Sequence, residues 1–165
     1  MDVLKRIVNT VRRNHALEHA TVTIMLSRYG PMRVVGRAAM DGFYIYANVT
    51  TEQLRELVQQ ALSRLQRGEA NLAVSPLCGT NIAVAGIMAG VASYAAQSRK
   101  KGVMDGLSRS VTAAMLAAVL AQPVGRLIQK HYTTSPDLEG VEIVSVDPVG
   151  GSSRLHKVRT APAAA

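Results

Sequence analysis

The sequence predicts an α+β fold, and three features of the chain carry that prediction. Apolar residues recur at helical spacing over residues 1–29, and they alternate with polar residues over 43–49 as in a half-buried strand. Two later segments, 82–97 and 110–125, contain no charged residue at all. We therefore expect an amphipathic helix, a β-hairpin, a second helix, a hydrophobic helical hairpin and a short β-rich C-terminal part, in that order.

A chain of 165 residues is long enough to bury a core of its own and fits one domain. We expect this domain to cover 1–160 and to consist of three parts. They are an α/β part over 1–78, the hydrophobic helical hairpin over 79–132 and C-terminal strands over 133–160. The remaining alanine-rich residues, 161–165, are expected to form a disordered tail.

The first helix is predicted to run from Met1 to Tyr29, because Gly30-Pro31 ends it. Its polar side is rich in arginine and lysine, whereas its other side forms one apolar stripe that we expect the fold to bury. The members of this stripe are Val3, Leu4, Ile7, Val8, Val11, Val22, Met25, Leu26 and Tyr29.

Two short strands should follow over 32–37 and 43–48, joined by a turn at Met40-Asp41-Gly42. Further strands are expected over 141–146 and 154–159, where they can extend the sheet of this hairpin. The pattern therefore predicts one sheet built from both ends of the chain.

The second helix is predicted over 52–67 and is structural. Thr50 and Gln53 resemble a capping box at its start, and Gly68 is well placed to end it. Its apolar residues recur on one face, as expected for a helix that packs on a core.

The two charge-free segments fit either a soluble helical pair in the core or a transmembrane hairpin. Their lack of charge, together with the basic turn Arg99-Lys100-Lys101 between them, favours insertion into a lipid bilayer, with the orientation left open. Gly86 and Gly90 present small residues one turn apart, which suits close contact between helices. An oligomer through this Gly86/Gly90 face is therefore a further expectation.

The chain is basic, with a formal net charge of +8, which suits either nucleic acid or anionic lipid as a partner. Its basic residues are scattered and its aromatic residues make up only 4% of the chain, so no stacking platform for bases is present. We therefore expect a lipid bilayer as partner and no nucleic acid. Cys78 is the only cysteine, which excludes an internal disulfide.

The most informative motif is His15-Ala16-Leu17-Glu18-His19, in the middle of the apolar stripe. On a helix, residues three and four positions apart project from one side, so His15, Glu18 and His19 would lie together. This is the HxxEH order of inverted zinc proteases, in which the histidines bind the metal and the glutamate activates a water. Three ionisable groups on a buried face are costly unless they are paired, hydrogen-bonded or metal-bound. A histidine–glutamate pair satisfied by backbone groups is the alternative.

Cys78 is the leading candidate for a third metal ligand. It lies in a loop that enters an apolar helix, where a thiolate is favoured, and thiolate is a good zinc ligand. An isolated cysteine is more often a small buried hydrophobe, so other candidates stay open. They are Glu69, Asp41 and His131, of which Glu69 is most like the distant third carboxylate of the inverted zinc proteases.

The segments HALEHATV, beginning at His15, and CGTN, beginning at Cys78, resemble an uncharacterised family of small membrane proteins from cyanobacteria and Chloroflexi. They are also similar to a broader group of predicted multi-pass bacterial membrane proteins with HxxEH followed by HPxCGT. The resemblance covers roughly 15–132 and implies residence in the bacterial cell membrane. This chain departs from the broader group by having Ser75 in place of the histidine. Carried over by position, the resemblance implies functional roles for His15, Glu18, His19, Cys78, Gly79, Thr80 and Asn81.

The leading hypothesis is a small integral membrane protein with a zinc centre and a metallopeptidase-like reaction on a peptide substrate. In this hypothesis His15, His19 and Cys78 bind zinc, and the carboxylate next to them acts as the catalytic base. The alternative is a non-enzymatic membrane scaffold or assembly factor with a membrane-protein partner. Its HxxEH face would be a polar contact between helices, and its basic N-terminal helix would lie on the lipid surface.

Overall fold

The structure is a computed structural model, and it describes residues 2–97 and 103–162. Its helices and strands follow the predicted α+β order, which is confirmed. The helices are α1 (Asp2–Tyr29), α2 (Thr51–Gln66), α3 (Gly79–Ala96) and α4 (Val103–Ile128). The strands are β1 (Val35–Ala39), β2 (Gly42–Tyr46), β3 (Val141–Pro148) and β4 (Leu155–Pro162). A 3-10 turn covers Ala70–Ala73 and a π-helical turn covers Gln129–Thr133.

The chain divides into two compact units. The first consists of residues 1–75 and 130–165 and contains α1, α2 and the four strands, whereas the second consists of 76–129 and contains α3 and α4. The expected single domain over 1–160 stays a prediction.

The four strands of the first unit form one antiparallel sheet in the order β1-β2-β4-β3. The C-terminal strands therefore extend the sheet of the first hairpin, as the sequence predicts. Strand β4 also continues two residues into the segment predicted as a tail, because Ala161 and Pro162 pair with Glu142 and Val141. The rest of that predicted tail, 163–165, lies outside the described residues.

Helix α1 ends as predicted, at Gly30, whose φ of 80° is typical of glycine after a helix. The middle of the helix is buried, and Leu17 and Met25 are fully enclosed. In contrast, the apolar side chains of its first two turns and of Tyr29 at its end are exposed, so the predicted stripe is not buried at either end. The exposed members of the stripe are Val3, Leu4, Ile7, Val8 and Tyr29.

The difference in length between α1 and its neighbours explains this exposure. A helix of 28 residues extends about 42 Å, whereas an eight-residue strand extends about 27 Å. The sheet and α2 pack against α1 but cannot cover all of it. The predicted capping box of α2 is confirmed: Thr50 Oγ1 accepts the Gln53 backbone N–H, and Gln53 Oε1 accepts the Thr50 backbone N–H, at 3.2 and 2.8 Å.

The second unit is a pair of helices, α3 and α4, that pack along each other. Two reciprocal hydrogen bonds join them: Ser93 Oγ donates to the Ser110 carbonyl and Ser110 Oγ donates to the Ser93 carbonyl, at 3.1 and 3.2 Å. The predicted basic turn over 99–101 lies outside the described residues. Hydroxyl groups that bond across two helices are a common way to hold apolar helices together.

Two helical segments of the described chain, Gly79–Ala96 and Met104–Thr133, are long and apolar enough to cross a membrane. Within the most apolar 18 residues of each segment, only 6% and 17% of the residues are buried inside the protein. Gly86 and Gly90 are on the exposed part of α3, and a side chain added at either would meet no other atom. The apolar side chains of this unit are therefore largely uncovered by the described residues.

Candidate metal centre

His15 and His19 lie one turn apart on α1 and face each other. Their ring centroids are 4.3 Å apart and the ring planes are tilted by 60°. The Nδ1 atom of each ring lies 2.9 Å from a backbone carbonyl, that of Thr133 for His15 and that of Ala73 for His19. A carbonyl can only accept, so Nδ1 carries the proton and Nε2 carries the lone pair that binds metals. Metal-binding histidines in proteins are usually oriented in this way.

Arg12 holds the segment that supplies the carbonyl partner of His15. Its guanidinium donates to the carbonyls of His131 and Thr134 at 2.9 and 3.0 Å, and its own carbonyl accepts the Ser135 N–H at 3.1 Å. These three bonds hold residues on both sides of Thr133 in the sequence, so they also limit the position of the Thr133 carbonyl. The sequence predicted only that the polar side of α1 is rich in arginine and lysine, and it contained no signal for these bonds because the partners of Arg12 lie more than a hundred residues away.

Asn14 fixes α1 against the sheet, and sequence analysis did not single it out. Its Nδ2 donates to the carbonyls of Ala39 and Met40 at 2.9 and 3.2 Å, and its Oδ1 accepts the Thr160 hydroxyl at 2.6 Å. The side chain is 2% exposed. Because it directly precedes His15, these bonds also set the rotation of the helix that carries the motif. A polar residue beside a buried motif was the signal that could have found it.

Cys78 is the N-cap of α3 and is 7% exposed. Its sulfur accepts the Thr80 backbone N–H at 3.4 Å, a contact that favours negative charge on the sulfur. Gly79 begins the helix and is exposed, whereas Asn81 is buried. The structure thus places the Thr80 backbone against the sulfur and Gly79 at the start of the helix, and nothing in the described residues assigns either a ligand of its own.

One ring nitrogen from each of His15 and His19 and the sulfur of Cys78 all lie within 4.8 Å of one another. The sequence contributes to this proximity, since Cys78 follows Ala73, the partner of His19, by only five residues. In a tetrahedral zinc site two imidazole nitrogens and one thiolate sulfur are about 3.3–3.6 Å apart, which is the same range of scale as this group. Two imidazoles and a thiolate form a donor set that could hold a metal ion.

Glu18 is also buried, at 7% exposure, but it is not part of this three-residue group. Its carboxylate packs on the backbone of β1 at Gly36, where a Cβ atom would overlap the carboxylate. Only glycine therefore leaves room for Glu18 in its present position. The sequence analysis expected Glu18 beside the histidines and had no signal for its contact with Gly36.

The other candidates for the third ligand are engaged elsewhere. Glu69 accepts two hydrogen bonds from Arg64, and this guanidinium lowers the pKa of the Glu69 carboxyl. Asp41 pairs with Lys157 at 2.6 Å, and His131 is exposed. Within the described ranges, no second group of three or more histidine, cysteine or acidic side chains converges as these do.

Comparison with known proteins places the chain in a family. Residues 10–146 match the family described as "Domain of unknown function (DUF6391)". The chain belongs to the DUF6391 family. An uncharacterized protein of Picosynechococcus sp. (strain ATCC 27264 / PCC 7002 / PR-6) is 36% identical over 162 residues, covering 90% of this chain and 79% of the relative. No solved structure matches the chain.

The DUF6391 match contains the HxxEH motif, the CGTN segment and both apolar helices. It begins at residue 10, so the exposed first two turns of α1 precede it. The prediction of an uncharacterised family with cyanobacterial members is confirmed at this level.

Proposed function

We propose that this DUF6391 protein is a small integral membrane protein with a zinc centre at His15, His19 and Cys78. The observation that carries the proposal is the approach of three ligand atoms to within 4.8 Å of one another. The carbonyl partners of both Nδ1 atoms support it, because they orient the two Nε2 lone pairs. Two imidazoles and one thiolate suit zinc, whereas magnesium and calcium prefer oxygen ligands.

Membrane insertion is the second part of the proposal, and the exposure of α3 and α4 supports it. A helix in the core of a soluble protein is mostly buried, but these two are mostly exposed and carry large apolar side chains. Such a surface is stable in lipid and costly in water. We place the protein in the bacterial cell membrane, with the lipid bilayer as its partner.

The reaction class that we propose is metal-assisted hydrolysis of a peptide bond. Three protein ligands leave one position of a tetrahedral ion for water or substrate, which is the pattern of catalytic zinc sites. Zinc bound here would act as a Lewis acid and bring the pKa of water to about 7. Glu18 is the carboxylate of the HxxEH motif, and in this proposal it accepts the proton of the attacking water. Asn81, Gly79 and Thr80 shape the loop that carries the thiolate.

A second candidate function, a membrane scaffold without catalysis, is favoured by the start of α1. Val3, Leu4, Ile7 and Val8 are exposed on one face there, and basic residues flank them. A helix of this kind binds the surface of an anionic membrane. In this alternative the metal centre only stabilises the fold, and a membrane protein is the partner.

Metal analysis of the purified protein tests the zinc centre without knowledge of a substrate. We expect about one zinc per chain from the wild type, and loss of most of it from His19→Ala. The matched control is His131→Ala, which removes an exposed histidine outside the cluster and should leave the zinc content unchanged.

Cys78→Ser examines the third ligand in the same measurement. A hydroxyl is a poor replacement for a thiolate toward zinc, so occupancy should fall. Full occupancy in Cys78→Ser would contradict the assignment of Cys78. A folded wild-type protein without metal, even after incubation with zinc, would contradict the zinc centre as a whole.

A further inference from the structure

Asn81 closes a small loop around Cys78. Its Nδ2 donates to the carbonyl of Pro76 at 3.0 Å, and its backbone N–H donates to the carbonyl of Cys78 at 2.9 Å. The Asn81 side chain therefore spans the turn that carries Cys78. It joins Pro76, two residues before the cysteine, to α3, which begins directly after the cysteine. Because the loop precedes α3 directly, this bond limits the positions that the sulfur can take.

Gln129 and Gly125 in turn hold the side chain of Asn81. Gln129 Nε2 donates to Asn81 Oδ1 at 2.8 Å, and the two amides are 0% and 3% exposed. A Cβ atom at Gly125 would overlap Asn81 Oδ1, so the glycine provides the space in which the amide lies. The Gln129 bond also fixes the orientation of the amide, because Oδ1 must face the donor and Nδ2 must then face Pro76.

A buried amide pair between two apolar helices is costly unless its groups are hydrogen-bonded, and here each bond has a defined partner. The same two helices have a second polar contact, between Ser93 and Ser110, which already joins them. The Asn81–Gln129 contact also reaches the loop of Cys78, because the Asn81 side chain bonds to Pro76.

We propose that Asn81, Gln129 and Gly125 are positioning residues that hold Cys78 in place for the metal ion. This inference rests on the proposed zinc centre and assigns the CGTN asparagine a role through the cysteine, not as a ligand. Residues that orient a metal ligand typically change metal affinity by roughly 10- to 100-fold when they are replaced.

Cobalt(II) titration of the full-length protein in detergent tests the inference. Cobalt bound to a thiolate has a charge-transfer absorption that directly reports the cobalt–sulfur bond. We expect Asn81→Ala and Gln129→Leu to weaken cobalt binding about 10- to 100-fold and to reduce this absorption at saturation. The matched control, Ser93→Ala, removes a hydrogen bond between the same helices and should leave both unchanged.

Two results would overturn the inference while the zinc centre stands. One is an unchanged affinity and absorption in Asn81→Ala and Gln129→Leu, and the other is an equal loss in Ser93→Ala, which would indicate helix packing alone. Gln129→Leu is the second variant should Asn81→Ala fail to fold, since it leaves the Pro76 bond in place. Failure of the proposed function is a different result: the wild type then shows no thiolate absorption at all, and both proposals are wrong.

Discussion

Glu18 and Gly36 face each other where α1 packs on β1, and their contact decides where the only carboxylate of the motif can lie. A single added carbon atom would displace the carboxylate, because a methyl group at residue 36 would occupy the same space. The neighbouring histidines depend in the same way on single carbonyl groups, those of Thr133 and Ala73. Each of the three motif side chains is therefore held by a partner outside the motif.

Glu18→Gln tests the proposed role of this carboxylate as a base. The amide keeps the size of the side chain but cannot accept the proton, so zinc should stay bound while cleavage falls about 100-fold or more. The measurement is zinc content together with cleavage of a peptide library followed by mass spectrometry. Loss of zinc in Glu18→Gln would instead make Glu18 a ligand or a support of one.

Gly36→Ala should reproduce part of this loss without any change of chemistry. The added methyl group displaces the Glu18 carboxylate, so cleavage should fall while the zinc content stays near that of the wild type. Gly86→Ala is the control, because a side chain there meets no other atom. Equal cleavage by Gly36→Ala and the wild type would show that the position of Glu18 against β1 is irrelevant to the reaction.

At the scale of elements, the turn between β1 and β2 is tied to β4 by Asp41 and Lys157. The Lys157 side chain is 4% exposed, and its Nζ atom lies 2.6 Å from Asp41 Oδ1 and 4.2 Å from the centre of the Tyr44 ring. The hydrogen bond from Lys157 lowers the pKa of the Asp41 carboxyl. This pair thus joins the hairpin to the C-terminal part of the sheet.

Asp41→Ala should reduce the free energy of unfolding by about 1–2 kcal/mol at neutral pH, because it leaves the buried Lys157 side chain without this partner, while water screens the 64% exposed carboxylate. Asp147→Ala is the matched control and should cost about 0–1 kcal/mol, since its partner Arg159 is half exposed. The pKa of Asp41 is lower in the folded state, so its contribution is complete above the unfolded value of about 3.9 and is lost as the pH falls through the folded value. As the pH is lowered through this range, the thermal stability of the wild type should approach that of Asp41→Ala. A difference in stability that does not change with pH would contradict the assignment.

The second prediction at this scale concerns the start of α1, and it tests whether the exposed apolar face there lies on a lipid surface. The chain contains no tryptophan, so Leu4→Trp introduces a single fluorescent reporter on the exposed apolar face. In nanodiscs that contain anionic lipid, we expect a blue-shifted emission that brominated lipid quenches. Asn9→Trp, on the polar side, should be quenched much less, and equal quenching of the two would contradict a surface-bound amphipathic helix.

At the scale of the whole molecule, the exposed apolar residues of α3 and α4 allow a test of the proposed insertion into a membrane. Ile87 lies near the middle of α3 and is 67% exposed. In a bilayer, Ile87→Lys would place a charge at mid-depth at a cost of about 2.5–3.5 kcal/mol, whereas on a water-exposed surface it would be nearly neutral.

We therefore expect the wild type to stay with membranes in high salt and at alkaline pH, and Ile87→Lys to lose most of this membrane fraction. Met40→Lys, at an exposed apolar position of the first unit, is the control and should partition like the wild type. Recovery of the wild type as a detergent-free soluble monomer would contradict membrane insertion.

The sequence alone determined most of the elements, because their signals act over a few residues. Helical spacing and Gly30-Pro31 predicted α1 to within a residue, and the Thr50–Gln53 capping box predicted the start of α2. The HxxEH spacing predicted the facing histidines in the same way, since residues one turn apart are neighbours on any helix.

Only the tertiary structure decided which partners these side chains have. The carbonyl that orients His15 is 118 residues away, and the amide that holds Asn81 is 48 residues away. It likewise paired Glu69 with Arg64, whereas the sequence left Glu69 open as a metal ligand. Local spacing contains no information about such contacts, because they depend on how distant segments close around a shared core.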